Sequence, residues 1–76
     1  MIQVKLYANL VQYSKSKKKE FEILWSDGMN VEKILKDEGI SKKITKIIMI
    51  NGRRQDIDFV LKDGDRVAIF PPVGGG

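Results

Sequence analysis

The chain has 76 residues, of which 42% are hydrophobic, and a formal net charge of +4, a size that suits one small domain with a single core. It contains no cysteine and no histidine, which excludes disulfides, thiol nucleophiles and thiolate metal sites and removes the commonest general base. We therefore expect a protein that is not an enzyme on its own and binds no metal or cofactor itself. Because the chain also lacks an apolar stretch of bilayer length and a signal-peptide pattern, we expect a cytoplasmic protein that does not associate with membranes.

Two segments of alternating apolar and polar residues near the N-terminus predict a pair of antiparallel strands. The first covers residues 2–7 and the second covers residues 19–24. The side chains expected to face the core are Ile2, Val4, Leu6, Phe21 and Ile23. Between the strands lie a segment long enough for one helical turn and a lysine-rich loop, residues 15–19. Trp25, directly after the second strand, is expected to be a partly buried lid on the core.

A single main helix is predicted over residues 31–38. Asn30 is a suitable N-cap, because its side-chain oxygen can accept a hydrogen bond from an N–H group of the first turn. Gly39 suits the position that ends the helix, where a left-handed backbone is favoured, and Ile40 is expected to pack beneath it. The apolar side chains that recur at helical spacing and form the expected buried stripe are Val31, Ile34 and Leu35.

A hairpin is predicted after the helix. Residues 47–50 are a short apolar run that suits a buried strand. Asn51-Gly52 follows, and this pair is a strong hairpin signal because a type I′ turn needs positive φ at both central residues. The return strand, residues 53–55, is short and polar, as expected for the edge of a sheet.

A loop and a second turn, residues 62–65, lead to the last strand. The candidate anchors of the loop are Phe59, Val60 and Leu61. The last strand is predicted over residues 66–70, with Val67 and Ile69 toward the core.

The resulting order β-β-α-β-β-β favours an α+β domain of the β-grasp, or ubiquitin-like, type. In this arrangement one main helix packs on one face of a mixed sheet of four to five strands, and the first and last strands lie parallel at its centre. We assign residues 1–70 to this domain and residues 71–76 to a C-terminal tail.

The tail is suited to entering a narrow channel, and its sequence is Pro71-Pro72-Val73-Gly74-Gly75-Gly76. Its prolines restrict φ and stiffen the exit from the last strand, and its three glycines remove every side chain from the end of the molecule. At about 3.3 Å per residue, the tail can reach about 20 Å beyond the domain. It would present a single reactive group, the carboxylate of Gly76.

An apolar patch is expected on the other face of the sheet. If Ile48 and Ile50 face the helix, then Tyr7, Met49 and Phe70 point away from it. Apolar patches that a small domain leaves uncovered often mark a protein interface. Phe70 lies at the root of the tail, so a partner docked on this patch would receive the end of the tail.

Residues 63–76 resemble the C-terminus of the ubiquitin-like sulfur carriers, the MoaD/ThiS family. The resemblance is carried by the Asp63-Gly64-Asp65 turn, the strand that follows it, and the end rich in proline and glycine. The stretch Phe70-Pro71-Pro72-Val73 before the glycines is most similar to the small subunit of molybdopterin synthase. The length and the element order match the family over the whole chain.

The resemblance implies that the chain is a substrate that is recharged, not a catalyst. In this family an E1-like adenylating enzyme uses ATP and Mg²⁺ to form an acyl-adenylate on the last glycine, here Gly76. A persulfide donor then replaces AMP with sulfur and leaves a thiocarboxylate. Gly74 and Gly75 would thread the channel of the partner. The side chains expected to contact partners are Tyr7, Met49, Phe70, Pro71 and Pro72.

Functions of three classes remain open from the sequence. The leading one is sulfur donation in molybdopterin or tungstopterin synthesis, with the molybdopterin synthase large subunit as acceptor; thiamine thiazole synthesis and transfer-RNA thiolation are variants of it. The second is a protein modifier conjugated to lysines through Gly76. The third is an interaction or nucleic-acid module with an inert tail, for which the basic loop 15–19 would be the site. We expect no nucleic-acid binding and a monomer when the protein is free.

Overall fold

The computed structural model describes residues 1–72. The predictions made for Gly74, Gly75 and Gly76 lie outside these residues. A short 3₁₀ helix (Lys42–Ile44) precedes the third strand. The other elements, in chain order, are β1 (Ile2–Leu6), α1 (Leu10–Tyr13), β2 (Glu20–Ile23), α2 (Val31–Glu38), β3 (Ile47–Ile50), β4 (Arg53–Gln55) and β5 (Arg66–Phe70).

The five strands form one mixed sheet in the order β2-β1-β5-β3-β4. The first and last strands of the chain lie at its centre and run parallel, with Val4 opposite Val67. The other neighbouring pairs, β1–β2, β3–β4 and β3–β5, are antiparallel. This arrangement, with one main helix on one face, confirms the predicted β-grasp fold.

The core lies between α2 and one face of the sheet. Its buried side chains are Ile2, Val4, Leu6, Leu10, Met29, Val31, Ile34, Leu35, Ile40, Ile48, Ile50, Leu61, Val67 and Ile69. Phe21 and Ile23 of the edge strand β2 are only partly buried and pack against this cluster. Trp25 is the predicted lid, and its indole Nε1–H donates a hydrogen bond of 2.9 Å to the carbonyl oxygen of Leu61. Met29, directly before the N-cap residue Asn30, also belongs to the core, although the sequence did not predict it.

The prediction that Val60 anchors its loop is wrong, because its side chain is 57% exposed. The backbone here is extended, and Val60 forms an isolated bridge with Asn30. Side chains of extended backbone point alternately to opposite sides. Phe59 and Leu61 therefore pack toward the core, and Val60 between them points to solvent.

Both ends of α2 have the predicted caps. The side chain of Asn30 accepts a hydrogen bond of 3.0 Å from the backbone N–H of Lys33. Gly39 ends the helix in the left-handed region, with φ of 72°. The N–H of Ile40 donates to the carbonyl oxygen of Leu35 at 2.9 Å, the bond that closes a Schellman motif. This bond turns Ile40 back into the core.

A hydrogen-bonded network joins two turns and the start of β1 at the end of the sheet opposite the exit of β5. Asn51 and Gly52 have φ of 52° and 84°, as the predicted type I′ turn requires. The carboxylate of Asp65, which is 8% exposed, accepts hydrogen bonds from the Asn51 side-chain amide at 2.9 Å and from the Lys62 N–H at 2.8 Å. The backbone carbonyl oxygen of Asp65 accepts a further hydrogen bond from the N–H of Gln3 at 3.1 Å. Asp65 thus holds the starts of β1 and β5 beside the β3–β4 turn.

We expect Asp65→Ala to lower the free energy of unfolding by about 1–3 kcal/mol, because two partly buried donors lose their acceptor. Urea denaturation followed by circular dichroism measures this change. Asp58→Ala is the matched control: Asp58 is exposed, so its replacement is expected to change stability by less than about 0.5 kcal/mol. Equal losses in the two variants would contradict the structural role of Asp65.

Candidate functional site

The face of the sheet opposite α2 carries the predicted apolar patch. Because alternate residues of a strand share a face, the burial of Ile48, Ile50 and Ile69 on the helix side turns their neighbours outward. The outward-facing apolar side chains on the three central strands, which we call the apolar face, are Tyr7, Ile47, Met49, Ala68 and Phe70. All five are half-buried. The predicted orientation of Tyr7, Met49 and Phe70 is therefore confirmed, whereas their role in partner binding stays a prediction.

Tyr7 and Phe70 form an aromatic stack at one end of the apolar face. Their ring centroids are 4.2 Å apart and their planes differ by 15°. The stack follows from the parallel pairing, because the N–H of Tyr7 donates to the carbonyl oxygen of Ile69 at 3.0 Å. That bond continues the β1–β5 pairing by one residue and places the two rings side by side. The ammonium of Lys5 lies 5.1 Å from the centre of the Tyr7 ring.

The last strand is held until the residue at which the tail begins. The carbonyl oxygen of Phe70 accepts a hydrogen bond of 2.8 Å from the N–H of Lys46. Pro71 and Pro72 have no N–H to donate, and the chain leaves the sheet there; Pro71 is half-buried and Pro72 is exposed. The tail therefore starts beside the aromatic stack.

Charged side chains flank the apolar face, and they were not predicted as part of the site. Lys5 and Glu20 are direct partners across β1 and β2, with 3.3 Å between Nζ and Oε1. The hydrogen bond with Glu20, and after it the one with Tyr7, raises the pKa of Lys5 above its usual value. The other outward-facing charges on the strands, assigned from the register, belong to Glu22, Arg54 and Arg66. The alternation of β1 already indicates that Lys5 faces outward, but only the register identifies its neighbours.

The lysine-rich loop 15–19 is tied to the end of α2. The N–H of Lys15 donates to the carbonyl oxygen of Glu38 at 2.9 Å, and the hydroxyl of Ser16 donates to the carboxylate of Glu38 at 2.8 Å. The carbonyl oxygen of Lys19 accepts a 2.8 Å hydrogen bond from the N–H of Leu6. The loop therefore lies at the end of the sheet from which the tail departs.

Residues 1–72 contain no group of three or more acidic side chains placed to hold a metal ion. None of their helices has the length and apolarity needed to cross a bilayer.

Comparisons with known proteins relate the whole chain to one family. The model of the ThiS family matches residues 4–76. A candidate molybdopterin converting factor subunit 1 from Pyrococcus furiosus is 30% identical, with 95% of this chain and 97% of that one covered and a TM-score of 0.69. A chain in the complex of subunits 1 and 2 of molybdopterin-converting factor from Helicobacter pylori is 28% identical, with coverage of 99% and 97% and a TM-score of 0.65. Small archaeal modifier protein 1 of Haloferax volcanii shares the fold at 19% identity, with coverage of 95% and 97% and a TM-score of 0.70.

The aromatic stack is expected to contribute to stability beyond the area that each ring buries. In a double-mutant cycle of Tyr7→Ala and Phe70→Ala, we expect a coupling free energy of about 0.5–1.5 kcal/mol from urea denaturation. Tyr13, an exposed aromatic residue of α1, supplies the control. Tyr13→Ala combined with Phe70→Ala should be additive within about 0.5 kcal/mol. Additivity in both cycles would contradict the stacked geometry.

Proposed function

The chain belongs to the ThiS family, and from this membership we propose that it is a sulfur carrier whose terminal residue, Gly76, is converted to a thiocarboxylate. The observation that carries the proposal is that the family match runs through residue 76, so that it includes the end of the chain on which the chemistry would occur. The chain is a small carrier of the ThiS/MoaD and ubiquitin-like type. In the proposed reaction it is a substrate for other enzymes.

The proposed chemistry begins with an anion that resists nucleophilic attack, because a terminal carboxyl group has a pKa of about 3.5 and is ionised at pH 7. The Gly76 carboxylate attacks the α-phosphorus of ATP in an adenylating enzyme that holds Mg²⁺, and pyrophosphate leaves. The outer sulfur of a persulfide donor then attacks the acyl carbon, and AMP leaves. A second thiol cleaves the sulfur–sulfur bond, is oxidised to a disulfide, and releases the thiocarboxylate. That sulfur is a nucleophile for an acceptor enzyme.

The geometry of the described residues supports delivery of the tail to a partner. The apolar face is uncovered by the domain itself and ends at the tail root, so a partner seated on it would receive the residues after Pro72. Tyr7, Met49, Phe70, Pro71 and Pro72 are the proposed contacts. Gly74 and Gly75 would pass through a channel too narrow for a Cβ atom.

We propose molybdopterin or tungstopterin synthesis as the pathway and the cytoplasm as its location. The support is that two similar proteins, at 30% and 28% identity, are a candidate subunit 1 and a subunit 1–2 complex of molybdopterin-converting factor. The proposed acceptor is accordingly an enzyme of the subunit 2 kind. Thiamine thiazole synthesis and transfer-RNA thiolation would use the same thiocarboxylate with a different acceptor.

A second candidate function is conjugation to protein lysines through Gly76. It is favoured by the glycine-rich C-terminus, since an acyl-adenylate on Gly76 can be passed to an amine as well as to sulfur. The two functions differ in the product that they leave. A carrier ends as a free chain with a thiocarboxylate, whereas a modifier ends in an isopeptide bond to another protein.

We expect a new mass after incubation of the chain with its E1-like adenylating enzyme, ATP, Mg²⁺ and a persulfide donor. Intact-mass spectrometry should show the replacement of one oxygen by one sulfur, and fragmentation should locate it at Gly76. Conjugates to lysine would support the second candidate instead. An unchanged terminus, with an enzyme that is active on a reference carrier, would overturn both.

Two tail variants serve as controls for this experiment. Deletion of Gly76 shortens the reach of the tail by about 3.3 Å and should abolish the mass change. Gly75→Ala should slow activation by about 100-fold, because a misplaced reacting group loses catalytic alignment. The melting temperature should hardly change in either variant, since the core lies within residues 1–70. A large fall in melting temperature would show that these glycines are structural.

We expect Phe70→Glu to weaken binding to the adenylating enzyme by more than about tenfold, because a charge would replace an aromatic anchor at the tail root. Isothermal titration calorimetry measures the dissociation constant. Tyr13→Glu changes an exposed aromatic residue of α1 that is not one of the five residues of the apolar face and should leave binding nearly unaltered. Equal effects of the two substitutions would remove the apolar face from the proposed interface.

A further inference from the structure

The outward-facing charges of the sheet are segregated between its two sides. Residues directly opposite each other on neighbouring strands share a face, so the register orders the outer face in rows. One row, from β2 to β4, is Glu20, Lys5, Ala68, Met49 and Arg54. The next row, farther from the tail, begins with Glu22, Gln3 and Arg66. The acids therefore lie on the β2 side, and the arginines lie on the side of β5, β3 and β4.

The arginines on the side of β5, β3 and β4 are available to bind a partner, whereas the charge of the acids on the β2 side is partly neutralised. Lys5 is already engaged by Glu20. Within residues 1–72, neither Arg54 nor Arg66 takes part in an ion pair, and both are exposed. From the spacings of a sheet, their Cα atoms lie about 12 Å apart, a gap that two long arginine side chains can span toward one cluster of ligands.

We propose that Arg54 and Arg66 form a basic edge of the docking surface that binds carboxylate side chains on the adenylating enzyme. This inference rests on the proposed function, because it needs a protein partner that receives the tail. Guanidinium groups bind carboxylates through two parallel hydrogen bonds, which define direction as well as affinity. The apolar face supplies contact area, and the basic edge selects how the partner is turned on it.

The segregation of charge allows one docking orientation. If the partner were rotated by half a turn about the normal to the sheet, its carboxylates would meet Glu20 and Glu22, and like charges in contact disfavour the wrong arrangement. The same rotation would also place its tail channel away from Phe70. Electrostatics and tail geometry therefore select the same pose.

A protein surface fits this face better than a nucleic acid. A phosphate backbone laid across the sheet would pass over the acids of the β2 side as well as the arginines. The rings of Tyr7 and Phe70 stack on each other at 4.2 Å, which leaves no gap between them for a base. The proposed partner is therefore a protein, and binding of a nucleic acid is the alternative that the experiment must detect.

Steady-state adenylation kinetics, with the chain as the varied substrate of its adenylating enzyme, test the proposal. Arg54→Glu and Arg66→Glu should each raise KM by about tenfold or more, because a paired carboxylate of the partner is left facing a like charge. The kcat value should stay within about twofold, since the reacting carboxylate of Gly76 is unaltered. The KM of the unaltered chain should rise with salt, and this dependence should be weaker in both variants.

Arg53→Glu is the matched control. This substitution changes the net charge by the same amount as Arg54→Glu, and Arg53 adjoins Arg54 on β4. Arg53 pairs, however, with Ile50, whose side chain faces the helix. Its KM should remain within about twofold of the unaltered chain. Arg54→Lys and Arg66→Gln, which introduce no negative charge, should give intermediate KM values. They also keep the test decisive should a charge reversal lower the melting temperature.

The possible results separate this inference from the proposed function. Normal adenylation with equal KM values for the Arg53, Arg54 and Arg66 variants would overturn the basic edge and leave the sulfur carrier intact. Absence of adenylation of the unaltered chain would overturn both. A labelled single-stranded RNA that binds the chain and is lost in Arg54→Glu, with KM for the enzyme unchanged, would assign the arginines to nucleic acid and overturn the inference.

Discussion

The parallel pairing of β1 with β5 is the interaction on which the rest of this structure depends. It joins the first and last strands at the centre of the sheet and aligns Val4 with Val67 on the core side. The same register stacks Tyr7 on Phe70 on the opposite side. Because parallel strands end at the same edge of a sheet, the chain leaves β5 beside Tyr7, the residue that follows β1. One set of hydrogen bonds thus determines the core, the apolar face and the origin of the tail.

A single helix on a five-stranded sheet leaves one face without a cover. Burial of the inner face stabilises the domain by about 1.5–3 kcal/mol for each large apolar side chain. The outer face keeps its apolar residues half-buried through contact with one another, as the Tyr7–Phe70 stack illustrates. This arrangement limits the apolar area exposed to water while it retains a surface that a partner can cover. The side chains that form the core and those proposed to contact a partner therefore lie on opposite faces of the same strands.

The two ends of the sheet are also divided in their roles. The Asp65 network joins two turns and the start of β1 at one end through side-chain and backbone hydrogen bonds. Pro71 and Pro72, the lysine-rich loop and the aromatic stack lie at the other end. Changes at this end can therefore alter the proposed partner contacts without disturbing the hydrogen bonds that hold the turns. This separation suits the proposed function, in which the domain would remain folded while partners act on the C-terminus.

The sequence by itself determined the elements, their order, and the side of β1, β2 and β5 that faces the core, because alternation, caps and turns such as Asn51-Gly52 are properties of neighbouring residues. It was wrong for Val60, whose direction depends on the isolated pairing with Asn30. It did not indicate the burial of Met29 or Asp65, or the segregation of Glu22 from Arg66 on the outer face. Tertiary structure decided these features, because they depend on which distant strands and loops become neighbours. Long-range pairing of this kind is not contained in any local sequence pattern.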